Sequence, residues 1–232
     1  MLDQNKYTQY LKYAVGEIVL VVIGILIAFQ VNEWSQNRKN TITEINMLTE
    51  IKSNVTEDSI QLKEILRKRQ LTATSVARMI SQMPDQSFNL DTLSIDLAHF
   101  LYFDRFFPTN NAHEMLKSSG LSLTNRLLAV KLSRYFDILQ HREVLVNKDI
   151  EMAFNEFIFK NRTISKEIIA FDFEKSIKIA HPYDPIFLKE LLNQLILFKD
   201  NNNGTLNYTI STLKENNQLL IDVRNELKRL QH

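Results

Sequence analysis

Eighteen residues near the start of the chain, AVGEIVLVVIGILIAFQV from Ala14 to Val31, constrain everything that follows. Between Ile18 and Phe29 every residue is apolar apart from Gly24. At about 1.5 Å of rise per residue the segment makes roughly 27 Å of helix, close to the hydrocarbon thickness of a bilayer. Tyr7, Tyr10 and Tyr13 flank one end and Trp34 the other, where amphipathic rings favour a membrane–water interface. The expected element is a single-pass transmembrane helix over residues 14–34, preceded by a short tail, 1–13. Two other readings share the pattern. The strictly apolar run of twelve residues is also the length of a buried core helix or of a signal-peptide core. Against cleavage, the run leads into AFQVNEW, whose bulky Phe29 and Val31 do not make an A-x-A-like site.

Of the 232 residues, about 195 remain after such an anchor, enough for one domain with its own core. Only four Gly and four Pro occur, against usages of about 7% and 5% in ordinary proteins. A chain so poor in turn-formers is expected to be all-α. The net charge of +1 comes from 28 basic and 27 acidic residues dispersed without a long block of one sign, so nucleic acid finds no electrostatic footprint. Cysteine is absent, which excludes disulfides, thiol nucleophiles and thiolate-bound metals.

Between Gly24 and Pro84 there is neither Gly nor Pro. The anchor is therefore expected to run unbroken into a stalk helix over 35–83 that packs into an antiparallel helical bundle, 84–232. Its apolar residues, among them Ile45, Leu48, Val55, Leu62, Leu66, Val76, Ile80 and Met83, recur at three- and four-residue steps with a polar break around Arg69. Asn89 or Asp91 is placed to cap a second helix running through LSIDLAHFLYFDRF to Pro108. NAHEMLKSS makes a short third helix, with Gly120 suited to the left-handed position that ends it. A fourth, some 35 residues long, starts near Ser122 or Thr124 and ends in FNEFIF. The stretch from Asn161 to Ile179 reads as helix from Ile164, Ile168, Ile169 and Phe173, although FDFEKSIKI alternates like a strand. Asp184–Pro185 is a cap and first-turn pair for a helix to about Phe198; DNNNG then reads as a turn before the last helix.

Motifs that carry chemistry are few. His99, His113, His141, His181 and His232 form no close ligand pair, so no metal, cofactor or catalytic residue is assigned. The DNNNG segment fails as a calcium loop, having Gly fifth and Ser211 twelfth where an EF-hand needs Gly sixth and Glu twelfth. Ser118 and Ser119 before Gly120 read as a helix end. His113 beside Glu114 reads as the solvated start of a helix. If a pocket lies between the bundle helices, Arg105, His113 and Glu114 are its candidate lining.

The most directional feature lies within the anchor. At about 100° per residue Glu17, Gly24 and Val31 stack nearly in line, with Val21 and Ala28 on the same side. Glu17, Val21, Gly24 and Ala28 are the candidate membrane-helix interface, because small residues let another backbone approach closely in lipid. Tyr10, Tyr13 and Trp34 are the candidate interfacial anchors. A carboxylate at Glu17 costs about 2–3 kcal/mol if carried to mid-bilayer and less near an interface. It therefore snorkels to the headgroups, pairs with Lys12, or meets a partner helix. Flanking charge is nearly tied, Lys6 and Lys12 before the anchor against Arg38, Lys39 and Glu33 after it. A short tail ahead of an uncleaved anchor normally stays cytoplasmic, which puts the bundle outside.

The segment from Lys12 to Trp34, KYAVGEIVLVVIGILIAFQVNEW, closely resembles the opening of a bacterial family of single-pass membrane proteins of unknown function, patterned approximately KYxxGExxLVVIGILIAxQxNxW. The central FPTNNAHEMLKSSGLSLTNRLLAVKLSRYFDIL is similar to that family's middle, where a Pro-Asn segment precedes E-x-L-K-S-S-G. The matching residues are Gly16, Glu17, Gly24, Gln30, Asn32 and Trp34 in the anchor, and Pro108, Leu116, Lys117, Ser118, Ser119 and Gly120 in the body. The family's basic N-terminal extension is shorter here. The resemblance implies a bacterial inner-membrane protein with a helical domain, periplasmic by the topology above, and brings no activity with it.

Two function classes follow. The first is a non-catalytic scaffold, sensor or interaction subunit that binds the lipid bilayer and joins copies of itself or a membrane protein complex. The second is an enzyme or small-molecule binding protein with a pocket between bundle helices.

Overall fold

The computed structural model describes residues 4–172 and 175–231, with side chains from residue 15 onward except those of residues 158 and 159. The absence of breakers between Gly24 and Pro84 yields a single helix, α1 (Gln4–Gln82). Its first part is bare: residues 15–31 are exposed throughout. From Glu44 onward the same helix is the central strut of an antiparallel helical bundle, burying Leu48, Ile51, Val55, Leu62, Ile65, Val76 and Met79.

Asn89 caps α2 (Leu90–Phe100), its side chain accepting from the Asp91 and Thr92 amides at 2.9 and 3.1 Å. The helix ends at Phe100, short of the expected Pro108. Residues of α1 capture the aromatic stretch in a non-helical conformation: Gln61 Nε2 donates to the Phe107 carbonyl at 2.9 Å, Gln61 Oε1 accepts from the Phe107 amide at 3.0 Å, and Asp58 accepts from the Thr109 amide at 3.0 Å. These bonds satisfy backbone groups that a helix would have paired internally. The short α3 (Asn111–Ser119) ends on Gly120 at φ 67°, a left-handed conformation that glycine adopts without a Cβ clash.

Asn125 caps the next helix, accepting from the Leu128 amide at 3.1 Å. Four segments then follow without a break: α4 (Arg126–Ser133), a π-helical turn Arg134–Leu139, α5 (Gln140–Asn155) and a second π-helical turn Glu156–Lys160. They span the 35 residues that the sequence suggested. Beyond α6 (Arg162–Glu167) the helix reading is overturned: β1 (Ile168–Asp172) pairs antiparallel with β2 (Ser176–Ile179). A remote contact fixes it: Ile177 enters the core while the Ser94 hydroxyl donates to its carbonyl at 2.6 Å and accepts from its amide at 3.0 Å.

Asp184 caps α7 (Pro185–Gln231), accepting from the Phe187 amide at 2.8 Å. No turn interrupts this helix at DNNNG. Asn202 is 2% exposed and held by Arg69, so tertiary bonding overrides the local turn preference. Gly204 sits on the solvent side of the uninterrupted helix, with nothing within 4 Å of a Cβ built on it. Gly204→Ala is therefore expected to stabilise the bundle by about 0.5–1 kcal/mol. A thermal melt should show a rise of a few degrees, and a fall would contradict the unbroken helix.

From Val55 to Arg69 on α1, and from Asn216 to Asn202 on α7, the bonded positions move fourteen residues in opposite senses. The two long helices are thus antiparallel and in step. Their apolar contacts form two main cores. One joins Leu48, Ile51 and Val55 to Leu219, Val223 and Leu227, with Leu128 and Leu132 of α4. The other, at the far end, gathers Val76 and Met79 with Phe100, Phe157, Leu191 and Leu195. A small cluster of Leu62, Ile65 and Phe106 lies between them.

Candidate functional site: a buried polar belt

At the level of that small cluster the interior becomes polar. Asp58, Glu143, Thr209 and Asn216 are fully buried, and Arg69, Tyr135, Gln140, Asn147 and Asn202 are each less than a tenth exposed. Burying such groups is costly unless they are paired, so their partners decide what the belt is.

Asp58 of α1 is the acceptor at one end. Its Oδ1 takes the Thr109 amide at 3.0 Å, and its Oδ2 takes the Tyr135 hydroxyl at 2.9 Å and the Gln140 amide nitrogen. Tyr135 and Gln140 are five residues apart, which on an α-helix separates them by about 140°. The π turn removes that separation: the Gln140 amide donates to the Tyr135 carbonyl in the i to i+5 pattern, bringing both side chains onto one oxygen. Asn216 of α7 completes the set, its Nδ2 donating to the Tyr135 oxygen at 2.7 Å and to the Val55 carbonyl at 2.9 Å.

Arg69 holds the other end. Its Nε and Nη2 reach Asn202 Oδ1 at 3.3 and 3.1 Å, and Nη2 also donates to the Asn202 carbonyl at 3.2 Å and to the Thr205 hydroxyl. Nη1 reaches the Thr209 hydroxyl at 3.3 Å, and that hydroxyl donates to Glu143 Oε1 at 2.6 Å. Asn147 Nδ2 adds a bond to the same oxygen at 3.1 Å, with Thr212 alongside. The carboxylate and guanidinium thus meet through a hydroxyl.

Burial sets the proton affinities here. It raises Glu143 above the usual carboxylate range, against the pull of the Thr209 and Thr212 hydroxyls and the Arg69 charge. It raises Asp58 likewise, against the bonds from Thr109, Gln140 and Tyr135. Burial pulls Arg69 down to about 10, partly offset by Glu143, so the guanidinium is still a cation at neutral pH. The Tyr135 hydroxyl is pushed well above its ordinary value, first by burial and then by the Asp58 charge. Beside the belt, Arg69, Asn147, Asn202 and Phe100 line a cavity of about 20 Å³, room for about one water.

The residues singled out from the sequence lie elsewhere. Glu17, Val21, Gly24 and Ala28 are exposed on the bare part of α1, and a Cβ on Gly24 would meet nothing within 4 Å. Trp34 is 66% exposed with the Arg38 guanidinium 5.9 Å from its ring centre. The side chains of Tyr10 and Tyr13 lie outside the described residues, as does His232. Arg105 forms a two-bonded pair with Glu151 at 3.0 and 2.6 Å, and Glu114 is exposed 3.5 Å from Lys117. His113 is not the solvated helix start it seemed. It is 3% exposed and stacked on Phe136 at 4.6 Å, with Asp137 Oδ1 3.5 Å from Nε2, and burial lowers its proton affinity. Each of the three is engaged with a different partner, so they do not form a common lining. Ser118 and Ser119 bond back to the Met115 and Leu116 carbonyls, as residues at a helix end do.

The belt itself left one mark in the sequence, the polar break at Arg69 within the apolar steps of α1. Among the described residues no group of three or more His, Asp or Glu side chains is arranged to hold a metal ion. A family model described as a family of unknown function, DUF6090, matches residues 17–93. The matched stretch runs from the exposed apolar helix through Asp58 and Arg69 to the start of α2. No curated protein and no solved structure matches the chain.

Proposed function

We propose that this chain is a membrane-anchored, non-catalytic helical module of the bacterial inner membrane, its bundle on the periplasmic side, that works by assembling with copies of itself or with a membrane protein complex. The observation that carries this reading is the bare apolar face of α1. An 18-residue window of mean hydropathy 2.2 has none of its residues buried inside the molecule. So large an apolar surface left open to water would be strongly unfavourable, and a bilayer removes the cost. Helix continuity supports a role in assembly, because α1 joins the small-residue seam of the anchor rigidly to the interior of the bundle.

The chain's lack of cysteine makes the reading directly testable. A single Ser35→Cys variant should be labelled by a membrane-impermeant maleimide in intact spheroplasts; labelling only after lysis would reverse the topology. Cross-linking in membranes followed by mass spectrometry should recover a dimer or a defined complex. Gly24→Ile should reduce that recovery several-fold by forcing the backbones apart. Recovery of monomer alone from the unmodified chain would sink the assembly reading, and unchanged recovery from Gly24→Ile would remove the seam from it. The second reading, a small-molecule site between bundle helices, draws support from the shifted acid–base groups of the belt. The 20 Å³ beside them is far below the size of ordinary ligand pockets.

A further inference from the structure

Three oxygens in the belt accept no hydrogen bond: Gln140 Oε1, Glu143 Oε2 and Asn216 Oδ1. Their residues are 2%, 0% and 0% exposed. The neighbouring acceptors fix which amide atom is nitrogen, because Gln140 Nε2 donates to Asp58 and to the Thr109 carbonyl at 3.3 Å, while Asn216 Nδ2 donates to the Val55 carbonyl and the Tyr135 oxygen. All three orphans are therefore acceptors, and the partner they call for is a donor or a cation.

Their placement is concerted. Gln140 and Glu143 are one turn apart on the same face of α5, and Thr212 and Asn216 are one turn apart on the facing side of α7. Glu143 contacts α7 through Thr209, and Gln140 and Asn216 meet at the Asp58–Tyr135 pair. Charge points the same way. With both carboxyls ionised, Asp58 and Glu143 outnumber the one guanidinium of the belt, Arg69, by a single charge. Arg69 approaches Glu143 only through the Thr209 hydroxyl on Oε1, so Oε2 is the oxygen left over.

We propose that the belt is a binding site for a monovalent alkali cation, Na⁺ or K⁺, held between α5 and α7 by Glu143 Oε2 with the amide oxygens of Gln140 and Asn216. The donor set is all oxygen and contains one carboxylate, which suits a hard ion of single charge. A divalent ion gathers more carboxylates, and a transition metal takes nitrogen or sulfur. The bound ion cancels the excess charge and ties the helix from Arg126 to Lys160 to α7 at the level where the two main apolar cores are interrupted.

Thermal unfolding of the full-length chain in detergent, in NaCl, KCl and choline chloride at equal ionic strength and at pH 5.5 and 8, tests the site. The midpoint is expected to rise saturably with Na⁺ or K⁺ and not with choline, by about 5–10 °C at a hundredfold excess over the dissociation constant. Glu143→Gln, which preserves shape and removes the charge, should abolish the dependence. Equal midpoints in the three salts at both pH values overturn the proposal. So does a midpoint that rises with acidity equally in all three salts, since a proton on Glu143 then fills the role. Alkali-ion dependence that persists unchanged in Glu143→Gln also overturns it. The dependence in the unmodified chain decides the matter even where the variant does not fold.

Discussion

Arg69→Met is expected to destabilise the bundle by about 3–5 kcal/mol, lowering the thermal midpoint by roughly 10 °C. The guanidinium is 7% exposed and serves Asn202 through its side chain and carbonyl, together with Thr205 and Thr209. Methionine fills much of the volume and donates nothing, so four acceptors on α7 each lose a donor inside the core. The larger part of the loss is electrostatic: Glu143 is left with no buried positive charge facing it. That origin separates the belt from ordinary packing in a double-mutant cycle. Glu143→Gln introduced into Arg69→Met should recover 1–2 kcal/mol of the loss, because the second change removes a charge that the first left uncompensated. Loss of less than 1 kcal/mol in the single variant, or strict additivity in the pair, would show that Arg69 is not the counter-charge of the belt.

The same residue marks where sequence ends as a guide. The length of α1 was legible because nothing between Gly24 and Pro84 interrupts a helix, and the ends at Gly120 and Asp184 were legible because each depends on its own neighbours in the chain. Arg69 was visible only as a break in an apolar pattern. Its partners Asn202 and Thr205 stand 133 and 136 residues away, and no local rule connects them. For the same reason DNNNG reads as a turn and folds as helix: Asn is a turn-former when its side chain bonds locally, and here Asn202 is occupied by α1. The hairpin was missed through a contact 83 residues distant, the paired bonds of Ser94 with the Ile177 backbone. The π turn at Arg134–Leu139 has no sequence signature that we recognise, yet it is what places both Tyr135 and Gln140 on Asp58. The fold class followed from composition and breakers, whereas the belt follows from contacts between remote segments.

The double variant Leu20→Arg/Ile25→Arg is expected to have the largest effect on where the protein is found. Leu and Ile at the centre of a membrane helix each favour insertion by about 0.3–0.6 kcal/mol and Arg opposes it by about 2.5–3.5 kcal/mol, so the two changes together shift insertion by roughly 6–8 kcal/mol, a factor above 10⁴. The unmodified chain should stay with membranes after carbonate extraction, and the variant should move to the soluble fraction. Both positions are exposed, at 72% and 64%, on the part of α1 that touches neither core nor belt. The melting midpoint of the variant bundle should therefore stay within a degree or two of the original. The two measurements separate the three readings of residues 14–31. A core helix predicts collapse of the melt on introducing two arginines. A cleaved signal predicts a mature mass lacking the segment and an unmodified chain that is soluble already. Membrane retention that is lost in the variant, with folding intact and the segment still present by mass, is expected of an anchor alone.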